Sequence, residues 1–156
     1  MTTARRRTDV TRYASRGTYV ANRPVIGDVV TVLDLIHESR GLKLIPTYSR
    51  ALLAHSIHEL LATDEADKKP NDHVDRIAAL AFFEVARSGC VIVGEALVAG
   101  DEIVGTVLGF DETHEPNHVN IVIGVNQRRS GKQLSFKLGT KIRFQPLQQT
   151  SKFKAV

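Results

Sequence analysis

Between Gly109 and Asn120 the chain gathers Asp111, Glu112, His114, Glu115, Asn117, His118 and Asn120, its densest grouping of acid, imidazole and amide side chains. Imidazoles change charge near neutral pH, so His118 and His114 suit the roles of general base and general acid, with Asp111 or Glu112 orienting a ring. Asn117 and Asn120 can donate hydrogen bonds to an oxyanion. A cation for a substrate carboxylate, phosphate or sulfate would come from Lys141 or Arg143, further along the chain. The plainer alternative is that these side chains only satisfy loop backbone groups, through Asx-type turns at Asp111 and Asn117.

The run His114-Glu115-Pro116-Asn117-His118 matches the His-Glu-x-x-His pattern of zinc peptidases letter for letter. That pattern binds metal only when both imidazoles share one face of a helix. Pro116 lacks an N–H and disfavours helix at the residue before it, so the peptidase reading fails on context. A metal held from a loop by His114 and His118, with Asp111 or Glu112 as third ligand, is chemically sound for zinc or iron and stands as an alternative. No metal or other cofactor is assigned.

Two apolar runs must position this loop. Ile103 to Phe110 is rich in β-branched residues, and His118 to Val125 alternates with period two, so both read as strands. In the second strand Val119, Ile121, Ile123 and Val125 share one face, which leaves His118, Asn120 and Val122 on the other. Earlier, Val25 to Ile36 is apolar on both faces, as expected of a strand covered on both sides, with Asp34 either buried and partnered or meeting water. Leu42 to Ile45 reads as a short strand that Pro46 ends. Ser49 to Ala62 places Leu53, Ile57, Leu60 and Leu61 at helical spacing and predicts a helix with His55 and His58 exposed. The run Val74 to Ala86 fits either period and reads better as strand, because short strands with close turn signals follow it: Cys90 to Val98, then Ile103 onward. Glu84 and Glu95 each interrupt an apolar strand, which means solvent exposure unless they face a barrel interior. Residues 126–132 form a basic turn of hairpin length, and Phe136 to Phe144 alternates Phe136, Leu138, Ile142 and Phe144 with Lys137, Lys141 and Arg143, a half-exposed closing strand.

The 156 residues, 42% hydrophobic, suffice for one domain with its own core. The expected organisation is a basic arm over 1–24, a single domain over 25–146, and a tail over 147–156. The fold expected is mainly β: a small closed or partly open antiparallel barrel with one or two short helices. No apolar run approaches the roughly 20 residues of a membrane span, no leader pattern opens the chain, and Cys90 is the single cysteine, so a cytoplasmic setting without disulfides or membrane is expected.

The net charge of +4 hides a partition. Residues 1–24 sum to +5, residues 25–126 hold seven basic and sixteen acidic residues, and residues 127–156 sum to +8 with no acid at all. Such ends can bind nucleic acid, but they lack aromatic interleaving for base stacking. Engagement of an acidic surface, in a homo-oligomer or in a heteromer with a homologous subunit, fits better.

The run Gly105-Thr-Val-Leu-Gly-Phe-Asp-Glu-Thr-His-Glu-Pro-Asn-His-Val-Asn-Ile-Val-Ile123 resembles the signature of a family of small bacterial proteins of unassigned function, some found beside specialised-metabolite pathways. It implies no catalytic role for any residue, and it implies a biosynthetic context. The expected function is therefore acid/base tailoring of a small anionic metabolite, by an enzyme or an enzyme subunit. A non-catalytic barrel that partners a related biosynthetic enzyme is the alternative. A metal-binding or nucleic-acid-binding barrel is a second one.

Overall fold

The computed structural model describes residues 18–147, whose elements are eleven strands. In chain order they are β1 (Val25–His37), β2 (Leu42–Lys43), β3 (Ser49–Leu52), β4 (Ile57–Thr63), β5 (His73–Val74), β6 (Ile77–Arg87), β7 (Gly89–Ile92), β8 (Ala96–Ala99), β9 (Glu102–Asp111), β10 (Asn120–Gly124) and β11 (Lys141–Gln145). Seven of them close into a barrel in the order β1-β11-β8-β9-β10-β4-β6, and two small ribbons, β2–β5 and β3–β7, lie beside it. The expected barrel is present, but it is mixed and not purely antiparallel: β10 runs parallel to β4, with Asn120 abreast of Glu59 and Gly124 of Thr63. Three register shifts along the β1–β6 pair bend these long strands around the barrel, as bulges do.

Alternation along the strands divides the apolar residues into two cores. Inward side chains, among them Leu60, Phe83, Phe110, Val119, Ile121 and Phe144, fill the barrel interior. Outward ones, Leu61, Ala79, Leu108 and Val122, meet Leu42, Leu44 and Val74 of the β2–β5 ribbon in a second core outside the wall. At about 25 cal/mol per Å² of apolar surface removed from water, this second layer makes the ribbon an integral part of the domain.

The double burial explains the main departure from expectation. The helix predicted over Ser49 to Ala62 is instead β3 and β4, and Leu53, assigned to its apolar face, is 76% exposed in the turn between them. Because β4 faces the interior through Leu60 and the outer core through Leu61, across a register shift between them, its strand period is erased and the residue pattern imitates a helix. The run from Val74, read as strand, is strand, with β6 covering most of it.

The closing strand is shorter than expected. Residues 136–140 are turn and loop, Leu138 is exposed, and only β11 joins the barrel, with Ile142 and Phe144 inward. Instead of a hairpin, residues 125–140 form a long crossing that seals one end, with Leu134 and Phe136 packed against the interior. Gly131 lies so close to β6 that a Cβ there would sit 1.9 Å from the Leu80 carbonyl oxygen. Arg128 fastens the same crossing by ion pairs to Glu38 and Asp64. Asp34 meets water and accepts a hydrogen bond from Ser130 Oγ at 2.7 Å.

Of the basic arm expected over 1–24, residues 1–17 lie outside the described residues; the part next to β1 is bonded to β7 and its flanking turns, Asn22 to the Cys90 carbonyl and Glu95, Arg23 to Ser88. The expected tail lies outside them too, except Leu147. No helix among the described residues is long and apolar enough to cross a membrane.

Candidate functional site

Registers across five strands place Asp111 (β9), Asn120 (β10), Glu59 (β4), Phe82 (β6) and Thr31 (β1) in one row. Their neighbours Phe110, Ile121, Leu60 and Phe83 point inward, so the row lies on the outer wall of the barrel, at the edge of the second core. His118, two residues before Asn120, stands on the same face, as the alternation of the sequence predicts.

His118 is held on four sides. Its Nε2 lies 3.3 Å from Glu59 Oε1 and its Nδ1 lies 3.0 Å from Asn117 Nδ2. An amide nitrogen can only donate, so Nδ1 carries the lone pair and Nε2 the proton, aimed at Glu59. The ring packs edge-on against Phe82 at 5.1 Å and stacks on His114 at 5.0 Å. His114 is itself exposed, and its Nε2 lies 3.0 Å from an Arg40 guanidinium nitrogen, which again can only donate. Arg40 takes part in none of the ion pairs formed among the described residues, so its charge is uncompensated by any carboxylate there.

Asp111 has a different job from the one its chemistry suggests. It is buried and accepts four hydrogen bonds, from the Lys43 and Thr113 backbone N–H groups, from Thr113 Oγ1 and from Asn120 Nδ2. Its lone pairs are committed to anchoring the loop and the β2 ribbon, as the Asx-turn reading requires. Glu112 and Glu115 reach away from the imidazoles to Arg50 of β3, at 3.2 and 2.9 Å. These contacts clamp the 112–117 turn over His118.

Behind the row, His58 of β4 is buried on the inner side, not exposed as the helix reading required. Its Nδ1 accepts from the Val119 N–H at 3.1 Å and its Nε2 meets Ser56 Oγ at 2.9 Å, while that hydroxyl donates to the Leu53 carbonyl. Burial first, then the Arg50 guanidinium and the electrostatics of the neighbouring His118 ring, lower its pKa to about 4, so it is a neutral strut that fixes the start of β10. Glu95 is the one buried acid of the β7–β8 turn: it accepts from Ile92 N–H and Asn22, and burial pushes its pKa up. Glu84 lies on the solvent side, 3.5 Å from His55 Nδ1.

The structure thus brings together His118, His114, Asn117, Asn120 and Asp111, and sets Glu112 at the margin. It does not bring Lys141 and Arg143 to them. Both lie on β11, which is three strands from β10 by the shorter way round the seven-strand barrel, and there Lys141 pairs with Asp28 and Arg143 bonds to Gln145. Their place is taken by Arg40, and the partner of His118 is Glu59; neither carried a local motif. The signal that could have found Glu59 is its position as the single acid in an apolar run, once that run is read as strand. The two imidazoles stack instead of converging, and among the described residues no three His, Cys, Asp or Glu side chains are placed to hold a metal ion.

A closed mixed barrel with an imidazole–carboxylate pair on its outer wall is the class that fold and site define. The chain belongs to a family of unknown function, DUF6917, whose pattern matches residues 19–145. No curated protein and no solved structure matches it.

Proposed function

We propose that this protein tailors a small anionic metabolite by proton transfer at the outer-wall site, as an enzyme or enzyme subunit of a biosynthetic pathway. The observation that carries the reading is the state of His118: Glu59 fixes the protonated Nε2, and the basic Nδ1 faces only Asn117, an exposed loop amide that a substrate donor can replace. This is the arrangement of a general base oriented by a carboxylate. His114 is the acid partner, Asn117 and Asn120 supply amides, Asp111 and Glu112 hold the loop, and Arg40 binds the substrate anion. The resemblance of residues 105–123 to small bacterial proteins near specialised-metabolite pathways supports the biosynthetic context.

The test is an NMR titration of the imidazole resonances with small carboxylates, phosphate and sulfate. Members of this panel should move His114 and His118 in the native protein and in a Lys141→Ala/Arg143→Ala variant, and not in Arg40→Ala. Resonances unmoved by every anion would remove the reading.

A second reading, a non-catalytic barrel that partners a related enzyme or its own copy, is favoured by β1. This strand pairs with β11 only from Val25 to Asp28, and beyond that Val30, Leu35 and Ile36 are exposed. Sedimentation of the purified chain distinguishes it: a monomer that leaves these residues in water opposes self-association.

A further inference from the structure

The orphan of the site is the side-chain oxygen of Asn120. This residue is completely buried, its Nδ2 donates to Asp111 Oδ1 at 3.1 Å, and its Oδ1 has no hydrogen-bond partner. The amide cannot be reversed, because its oxygen would then face a carboxylate that only accepts. With the nitrogen on the Asp111 side, the oxygen is turned to the other neighbour, β4, where Glu59 stands abreast of Asn120. Glu59 gives Oε1 to His118, and its second oxygen has no partner among the described residues. The hydrogen bonding therefore has a gap: Asn120 Oδ1 is a buried acceptor with no donor, which is costly, and the Glu59 carboxylate abreast of it supplies none.

Charge narrows what fills the gap. His118 and His114 each accept a hydrogen bond on one ring nitrogen, and the Asp111 charge is spent on four donors. The two charges left over are negative at Glu59 and positive at Arg40, on either side of the imidazole stack.

We infer that the ligand of this site is a small zwitterion, an amino acid in the broad sense, whose ammonium donates to Glu59 and Asn120 Oδ1 and whose anionic group pairs with Arg40. The inference rests on the site assigned above and adds a cationic requirement to it.

Calorimetric titration of the full chain with β-alanine, γ-aminobutyrate, butyrate and butylamine tests it, with the imidazole resonances followed in parallel. At least one of the two amino acids should bind about tenfold more tightly than both butyrate and butylamine. Glu59→Gln, checked for an unchanged melting temperature, should reduce that preference to less than twofold while butyrate binding persists. If butyrate matches the amino acids in the native chain, the ammonium subsite is wrong and the anionic-substrate reading survives. If butylamine matches them, Arg40 has no role in binding and the zwitterion is wrong. If nothing binds and the rings do not respond, both readings fall together.

Discussion

His118 and Glu59 meet across the one parallel pairing of the barrel, Nε2 to Oε1 at 3.3 Å, although 59 positions separate them in the chain. A parallel pair sets residues abreast with side chains on the same face, so the short alternation His118-Val119-Asn120 presents both polar groups to β4. Glu59→Gln should keep the geometry and lose the charge that orients the imidazole. Its expected effect is a His118 ring whose tautomer is no longer fixed, read from the nitrogen resonances of the ring, with the melting temperature shifted by no more than a few degrees.

Removal of the Asp111 carboxylate should damage the fold more than any other change at the site. Asp111→Ala leaves two backbone N–H groups and the Asn120 amide without an acceptor, each worth about 1–3 kcal/mol when buried. A loss of roughly 3 kcal/mol or more in urea unfolding is expected. A loss below about 1 kcal/mol would mean that water replaces the carboxylate.

The His58 strut predicts an acid-side weakness. Its folded pKa, about 4, lies below the usual 6.5, so above pH 6.5 neither folded nor unfolded chain binds a proton there and its contribution is pH-independent. As pH falls from 6.5 toward 4 the unfolded chain takes up the proton first and stability declines by up to about 3 kcal/mol, then levels off. His58→Asn, whose side-chain oxygen can accept the Val119 N–H, should flatten this part of the stability–pH curve, measured by denaturant unfolding at several pH values.

Arg50 clamps the turn that covers the site through contacts open to solvent, which are worth about 0–1 kcal/mol. Arg50→Ala should therefore leave global stability nearly unchanged and raise amide hydrogen exchange at residues 112–117 severalfold. Unaltered exchange would show that Asp111 alone holds the turn.

Gly131→Ala should be disproportionately harmful for a methyl group. The new Cβ would fall on the Leu80 carbonyl, which belongs to a strand and cannot retreat, so the crossing must lift from the barrel end. A drop in melting temperature of about 5 °C or more is expected.

Much of this was readable from residues alone, and the failures have a common cause. The 118–125 run was decoded correctly, inward Val119, Ile121 and Ile123 against outward His118 and Asn120, because Asn120 and His118 mark the outer face. In β4 the outer face is apolar too, covered by Leu42 and Leu44, 19 and 17 positions before Leu61 (61 − 42 and 61 − 44), and no local period records that cover. Misreading β4 as helix then hid Glu59 and placed His58 in solvent. Arg40 was unreadable for a related reason: it is brought to His114 by the backbone bonds of Arg40 to Asp75 and of Leu44 to Asp72, contacts with no sequence signature. Lys141 and Arg143 were correctly placed on one face of a strand, but a face does not reveal which side of a barrel it occupies.

The pairing of β10 with β4 also has a consequence for assembly. The β4–β6 and β8–β9 neighbours can zip locally, but the second edge of β4 stays unpaired until Asn120 arrives beside Glu59, 61 positions later in the chain (120 − 59), and the ring itself closes only when β11 joins β1 and β8. Until then β4 presents bare backbone with Leu60, Leu61 and Ala62 on a growing chain, a sticky edge during synthesis. Long-range pairing of this kind is slow because a long loop must be ordered before its contacts form. The same stave that carries the polar face thus also covers the free edge of β4, and substitutions along 119–123 will register in refolding rates as well as in binding.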